Sequence, residues 1–417
     1  MSIQDILKEV KQDIRPSKEE EKELKAKIDK VLKKINSKIK GAKAILGGSG
    51  AKGTWLKDTY DADLFVLFDY KKYKEKTDQL SDILEKTLKK IFPKISRLHG
   101  SRDYFQIKKD GFIYEIVPIL NIKKAEKAMN ITDVSPLHAA WVKKHKNLAD
   151  EIRLTKKFCK ASKVYGAESY IGGFSGYICE ILTIYYGNFL NLIKKAARWK
   201  EKEIIDIERY HKNKNILDRL NRSKLNSPLI IIDPVQKDRN AAAALRKEKF
   251  EKFKKRCKGF LKKPSKDFFI RKQITIEDLK KQARDNYLLL LEITPKKGKR
   301  DVIGSKMIKA FDHIKKSLNS HDFSILKSGW EWNKKAVFYL IIKKQKLSLK
   351  KIREGPPIHA RPHAQKFKKK YKKTFEKNKK LFAEIKREFM TPDELLEEVI
   401  NHDYVKERVK DIQILVF

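Results

Sequence analysis

Asp61 and Asp63 stand one residue apart at the head of the apolar run DADLFVLFD, and Gly48-Ser49-Gly50 lies a short way upstream. In a strand, residues i and i+2 point to the same face, so the two carboxylates project together while Ala62 and Leu64 face the other way. Adjacent carboxylates repel, and a divalent cation relieves that repulsion. Hard Mg2+ takes oxygen ligands from carboxylates and from substrate phosphates together. A glycine-rich turn lets the backbone approach a phosphate closely, and Ser49 adds a hydroxyl donor. The pattern predicts a nucleoside triphosphate held through metal. A third carboxylate has to come from a neighbouring strand, and Glu115, in the second arm of a hairpin turning at Asp110-Gly111, is the candidate. Taken singly, a D-x-D pair or a Gly/Ser turn is common and structural. The combination G-S-x-x-x-G-T-W-L, then D-x-D, then an acid on a later strand is far more specific.

The elements that must position these groups follow from periodicity. Ser17 and Glu20 form a capping box, and Leu24, Ile28, Val31, Leu32, Ile35 and Ile39 recur at helical spacing, which predicts one amphipathic helix over 17–40. Ala44, Ile45 and Leu46 make a short apolar piece, DADLFVLFD a buried strand, and YFQIKKDGFIYEIVPIL a hairpin with a type I′ turn. Helix followed by strands gives a head domain over 1–145. The runs EIRLTKKFCKASKVYG, GYICEILTIYYGNFLNLIKKAARW and NAAAALRKEKFEKFKKRCKGFLKK read as helices of a middle domain over 146–264, with Phe250, Phe253, Cys257 and Phe260 on one face of the last. Strand-like NYLLLLEIT, AVFYLIIKK and DIQILVF mix with helices in a basic body and tail over 265–417, and EGPPIHARPH is a break before a helical tail. If DIQILVF returns to an earlier sheet, the body is discontinuous. The expected class is α+β and multidomain.

Lys and Arg number 99 against 54 Asp and Glu, a formal net charge of +45, which points to a polyanionic partner: nucleic acid first, an anionic membrane surface second. Frequent lysine, isoleucine and asparagine also match A/T-rich coding composition, so part of the surplus reads as solvated surface. No apolar stretch reaches the roughly 18 residues of a membrane helix, and the first residues do not form a signal peptide, so a soluble, cytoplasmic protein is expected. Cys159, Cys179 and Cys257 are scattered, without C-x-x-C spacing, and read as buried thiols. In FKKKYKKTFEKNKKLF, Phe367, Tyr371 and Phe375 recur every four residues with Lys368, Lys369, Lys370, Lys372 and Lys373 around them. This is either a basic helix tracking an RNA backbone or an aromatic stripe packed as core beneath solvated lysines. His359 and His363 have metal-ligand spacing, but Pro362 between them argues against a helix, and zinc is not expected.

GSGAKGTWLKDTYDAD resembles the signature of polymerase-β-like nucleotidyltransferases. YEIVPIL, SPLHAAWV, RLTKKFCKASKVYGAE, GFSGYICEIL, IIIDPVQKDRNAAAAL, KPSKDFF and GPPIHARPHAQKF are similar, in order, to blocks of the class I, archaeal-type CCA-adding enzymes. The resemblance covers nearly the whole chain. It implies a polymerase-β-like head of mixed sheet and helices, a helical neck and an RNA-binding body. It also implies template-independent addition of C, C and A to the 3′ end of tRNA from CTP and ATP. Carried over, Asp61, Asp63 and Glu115 hold Mg2+ in a two-metal site, and Gly48, Ser49 and Lys52 bind the nucleotide phosphates. His138, Lys156 and Tyr165 make further nucleotide contacts, and Arg239 recognises the incoming base. The implied chemistry is attack of the tRNA 3′-hydroxyl on the α-phosphate with release of pyrophosphate, and Glu115 is the candidate for removing the proton. Glu115 departs from an expected aspartate, Lys52 and Gly172 stand where arginine is commoner, and Val134 replaces a frequent arginine. The alternatives are another RNA 3′-terminal nucleotidyltransferase adding poly(A) or single nucleotides, and a non-catalytic RNA-binding protein with a decayed site. tRNA is the expected partner and no membrane is; a homodimer is as compatible with the sequence as a monomer.

Overall fold

The computed structural model describes residues 2–57, 59–212, 216, 220–333 and 335–415. The chain divides into two compact units, Met1–Lys272 and Gln273–Phe417. No helix among the described residues is long and apolar enough to cross a membrane.

The first unit holds two cores. Helix α1 (Ile3–Ile14) opens with a Ser2/Asp5 capping box, and α2 (Lys18–Asn36) with the expected Ser17/Glu20 box. α2 stops at Asn36, short of the 40 that periodicity suggests. The Asn36 amide donates to the Ala44 carbonyl (3.0 Å) and its oxygen accepts from the Ala44 N–H (2.7 Å), which pins the helix end to the next strand. A five-stranded sheet follows, of β1 (Ala42–Leu46), β2 (Asp61–Asp69), β3 (Ser96–Leu98), β4 (Tyr104–Lys109) and β5 (Phe112–Asn121) in the order β1-β2-β5-β4-β3. β2 and β5 are parallel and the other pairs antiparallel. The β4–β5 turn is of the expected kind: Asp110 and Gly111 both have positive φ, 51° and 75°. Ala62, Leu64, Val66 and Phe68 face the core beneath Ile28, Val31 and Ile35 of α2 and Leu80, Leu84 and Leu88 of α4 (Leu80–Lys89). Each such large buried side chain contributes about 1.5–3 kcal/mol. With the even positions of β2 spent on the core, Asp61 and Asp63 must face away from it.

The second core takes α6 (Ala149–Ala161), α7 (Gly176–Tyr186), α8 (Phe189–Ala196) and α9 (Lys247–Lys262), following the short α5 (Ser135–Lys143) and glycine-bounded α3 (Gly48–Lys52) of the head. The N-terminal helix α1, which the sequence reading passed over, buries Ile6, Leu7, Val10 and Ile14 here and not in the head. Cys159, Cys179 and Cys257 are buried free thiols in it, and Phe250, Phe253, Cys257 and Phe260 form the buried face of α9 as expected. A small sheet, β6 (Glu203–Ile205), β7 (Leu229–Asp233) and β8 (Gln236–Asn240), is set among the helices in the order β6-β7-β8. The alanines after Asn240 are not helical. Buried Asn240 accepts from the Ile231 and Ala242 amides, and the Ala241 amide donates to the Ile231 carbonyl, so tertiary bonds override alanine's helix propensity until Lys247.

In the second unit, β9 (Tyr287–Thr294), β10 (Ile325–Trp332), β11 (Ala336–Ile342) and β15 (Asp411–Leu415) form an antiparallel sheet in the order β10-β11-β9-β15. It shares a core with α11 (Arg300–Ser320) and α13 (Pro392–Asn401), after α10 (Ile276–Ala283). The C-terminal strand does return to an earlier sheet, so the body is discontinuous; residues 416 and 417 of DIQILVF lie outside the described residues. Between its halves lies a second sheet, β12 (Lys350–Pro357), β13 (Thr374–Lys377) and β14 (Lys380–Lys386), with α12 (Arg361–Lys370) against it. The single tail helix expected from four-residue aromatic spacing is overturned. α12 ends at Lys370, and the chain turns at Asn378 and Lys379, both left-handed, into a hairpin whose buried Leu381 and Ala383 follow period two. Phe367 packs over Gly355, where a Cβ would lie 2.7 Å from the ring. Phe375 stacks on Phe382 across the hairpin and stays exposed. Pro362 sits in the first turn of α12, where it helps to start a helix instead of preventing one.

Candidate active site

The parallel pairing of β2 with β5 puts Asp63 directly opposite Glu115, and Asp61 is two residues from Asp63 on the same face. β4 adds Gln106 opposite Glu115, and its amide Nε2 donates to Glu115 Oε1 at 2.7 Å. A row of Asp63, Glu115 and Gln106 thus crosses three strands. Burial, and then the charges of Glu115 and Asp61, push the Asp63 carboxyl up to about 6. Among the described residues, no three His, Cys, Asp or Glu side chains converge closely enough to form a metal-ligand set. The donor chemistry nonetheless suits Mg2+, because the acids in the row are oxygen ligands and Asp63 carries repulsion that Lys52 and Lys156 offset only in part. For Glu115 to complete such a set, its carboxylate must turn from Gln106.

The glycine turn is a five-residue helix, α3, closed by left-handed Gly53 (φ 68°). Gly48 has φ 52°, and a Cβ there would lie 1.6 Å from Asp63 Oδ2; the Gly47 amide donates to the Asp63 carbonyl at 2.7 Å. Glycine is required here for the approach of the carboxylate as well as by its backbone. Ser49 is half-buried on α3, and among the described residues none hydrogen-bonds its hydroxyl.

Lys52 and Lys156 meet on a residue that sequence reasoning missed. Glu180, with 1% of its surface exposed, accepts from Lys52 Nζ on Oε2 and from Lys156 Nζ and Thr54 Oγ1 on Oε1, each at 2.8 Å. Burial alone would raise its pKa, but Lys156 and Lys52 outweigh it and hold the carboxyl down to about 2. Tyr165 comes to the same place: a Cβ on Gly176, at the start of α7, would lie 2.9 Å from its hydroxyl and 3.9 Å from Lys156 Nζ. Buried Arg153 on α6 donates to the carbonyls of Gly53 (2.8 Å) and Trp55 (2.8 Å), tying the loop after α3 to the second core.

His138 and Arg239 meet on a second missed carboxylate, Asp233, at the end of β7. Tyr177, one turn before Glu180 on α7, donates to Asp233 at 3.1 Å, and Lys52 Nζ lies 5.1 Å from the centre of its ring. One face of α7 therefore serves both clusters. Both acids left a signal in the sequence. Glu180 is the one charge in GYICEILTIYY and Asp233 ends the buried run LIIID; a carboxylate in such a setting must be paired. At Gly172, where arginine was expected, φ is 61° and a Cβ would lie 2.5 Å from Arg246 Cγ, so Arg246 covers the position. The five tail lysines lie elsewhere, in the second unit: Lys368, Lys369 and Lys370 end α12, Lys372 and Lys373 lead to β13, and all are exposed.

Residues 1–143 match the family described as "Second Messenger Oligonucleotide or Dinucleotide Synthetase domain", residues 150–270 "tRNA nucleotidyltransferase, second domain" and residues 285–412 "CCA-adding enzyme, C-terminal domain". The chain is 33% identical over 423 residues to the CCA-adding enzyme of Methanocaldococcus jannaschii, across 96% of this chain and 91% of that protein. It is 34% identical over 427 residues to the CCA-adding enzyme of Methanococcus maripaludis, across 96% and 92%. Among solved structures, a cytoplasmic RNA terminal U-transferase aligns with a TM-score of 0.51 at 14% identity, over 65% of this chain and 99% of that one, a likeness of fold alone. With a nucleotidyltransferase fold and relatives this similar along nearly its whole length, the chain is an enzyme that belongs to the CCA-adding family of tRNA nucleotidyltransferases.

Proposed function

We propose that this enzyme adds C, C and A to the 3′ end of tRNA without a template, using CTP and ATP, and releases pyrophosphate at each step. The observation that carries the reading is the placement of three carboxylates on one sheet face beside α3, with Lys52, Lys156 and Tyr165 gathered around Glu180 and Gly176.

Asp61, Asp63 and Glu115 would hold Mg2+, which when bound acidifies the attacking 3′-hydroxyl and neutralises charge on the departing oxygen. Gly48 and Ser49 bring backbone and hydroxyl donors to the phosphates, and Lys52 and Lys156 supply positive charge already aimed by Glu180. Tyr165 adds a phenol donor beside Lys156. Glu115, once its carboxylate has turned from Gln106, is the candidate to accept the proton of the 3′-hydroxyl. Arg239 presents its guanidinium to the base, and His138 makes a further nucleotide contact. The tail lysines, Lys368, Lys369, Lys370, Lys372 and Lys373, bind the tRNA backbone. Head (1–145), neck (146–264, with α1 packed into its core) and body with tail (265–417) divide these tasks, the stretch up to Lys272 packing with the first unit.

Incubating a tRNA transcript that lacks CCA with CTP alone, ATP alone and both tests the reading. CTP alone gives two additions and the pair gives three; long tails from ATP alone would instead indicate a poly(A)-adding enzyme.

A further inference from the structure

Asp233 has no exposed surface, and the resemblance gives it no role. Its two oxygens take four hydrogen bonds. Oδ1 accepts from the Tyr177 hydroxyl (3.1 Å) and the Val235 amide (2.9 Å), and Oδ2 from His138 Nε2 (3.1 Å) and Arg239 Nη1 (2.5 Å). An ionised carboxylate offers about four lone-pair sites and no proton. All four are filled, so every partner is the donor.

The consequence falls on His138. Its Nε2 must carry the proton. Burial depresses its basicity against the pull of Asp233, so the ring is neutral and Nδ1 keeps a lone pair. Among the described residues none donates to Nδ1, and the ring lies against Tyr177 with 4.1 Å between centroids. Arg239, whose side chain is 32% exposed, keeps its Nε and Nη2 donors. A neutral imidazole showing a lone pair does not attract phosphate oxygens, which are acceptors themselves. It accepts from a donor on the nucleoside. Cytosine and adenine share such a donor, an exocyclic amine next to a ring-nitrogen acceptor, where uracil and guanine show a carbonyl next to N–H. The ribose hydroxyls, which every ribonucleotide carries, are the other donors, and the 2′-hydroxyl is the one that distinguishes ribose from deoxyribose.

We propose that Asp233 is a positioning residue for nucleoside selection: by saturating its own acceptors it fixes His138 as an acceptor and Arg239 as a donor, so the site favours a nucleoside that brings a hydrogen-bond donor to His138. This rests on the reading of the chain as a CTP- and ATP-using nucleotidyltransferase with Arg239 at the base.

The test compares kcat/KM for CTP, UTP and 2′-deoxy-CTP on a tRNA transcript lacking CCA, in wild type and Asp233→Asn. Asparagine presents an N–H2 to the imidazole and releases the tautomer. If the amine is read, the CTP:UTP ratio falls by about tenfold or more; if the ribose is read, the CTP:2′-deoxy-CTP ratio falls by a similar factor. Both ratios unchanged, with KM raised equally for all three nucleotides, would overturn the proposal. Nitrogen-15 NMR of histidine-labelled wild-type protein, with the signal assigned by its loss in His138→Gln, does not depend on the folding of Asp233→Asn. A neutral Nε2–H ring at pH 7 is expected, and an Nδ1–H tautomer or an imidazolium would overturn the proposal. If the wild type extends no tRNA, the functional reading fails, and the NMR result still decides what Asp233 does.

Discussion

Asp63→Asn should make the protein more stable at neutral pH while abolishing nucleotide addition. Asp63 lies between Asp61 and Glu115, and its carboxyl is pushed from an ordinary 3.8 up to about 6 by burial and by those two charges. Because the folded value lies above the unfolded one, the associated stability is complete below pH 3.8 and is lost as pH rises through about 6. At about 1.36 kcal/mol per pH unit the gap corresponds to about 3 kcal/mol, and partial exposure reduces it to about 1.5–3 kcal/mol. Asparagine has the same shape and no charge, so it recovers that amount at pH 7.5 and nothing at pH 3.5. For a unit of this size the gain appears as a rise in Tm of about 3–9 °C. The assay is scanning calorimetry of both proteins in chelator at the two pH values, followed by titration with Mg2+, which should raise the wild-type Tm and leave that of Asp63→Asn unmoved. A variant no more stable than wild type at pH 7.5, or equally stabilised at pH 3.5, would refute the electrostatic reasoning.

Glu180→Gln leaves buried Lys156 and Lys52 without their counter-charge and should cost about 3–5 kcal/mol by denaturant unfolding at pH 7. Its wild-type stabilisation is present above pH 4.5 and lost as pH falls through about 2, so the two proteins converge in strong acid. Gly48→Ala places a methyl 1.6 Å from Asp63 Oδ2 on a left-handed backbone, and single-turnover addition should fall by at least about a hundredfold. Replacing Lys368, Lys369, Lys370, Lys372 and Lys373 by alanine should weaken tRNA binding and flatten the log Kd versus log salt slope by about 0.9 for each lost phosphate contact. An unchanged slope, measured by filter binding, would remove the tail from the RNA interface.

How much of this was legible in the sequence depended on whether local pattern or tertiary contact decided each element. The strand carrying Asp61 and Asp63, the hairpin at Asp110-Gly111 and the capping box at Ser17 are local, and each is where the residues put it. β15 was legible as a strand from Ile412 and Ile414, but its partner β9 lies more than a hundred residues away. The tail failed because Phe367, Tyr371 and Phe375 fit a helical period while Leu381 and Ala383 fit a strand, and the hairpin turn at Asn378-Lys379 decides between them. At the site, the acids that repel were visible because their spacing is short. Glu180 and Asp233 were not singled out, although each is a charge in an apolar run, because their partners come from Lys52, Lys156, His138 and Arg239, which only the fold brings together.

Extension at single-nucleotide resolution of three tRNA transcripts, ending before CCA, after the first C and after the second C, tests the central claim most directly when wild type and Asp61→Ala are run side by side with CTP and ATP. The account predicts that wild type adds three, two and one nucleotides in the order C, C, A and then stops, and that Asp61→Ala adds none. Addition by Asp61→Ala at the wild-type rate would contradict the assignment of the site, and unordered or continuing tailing by the wild type would contradict the assignment of the function.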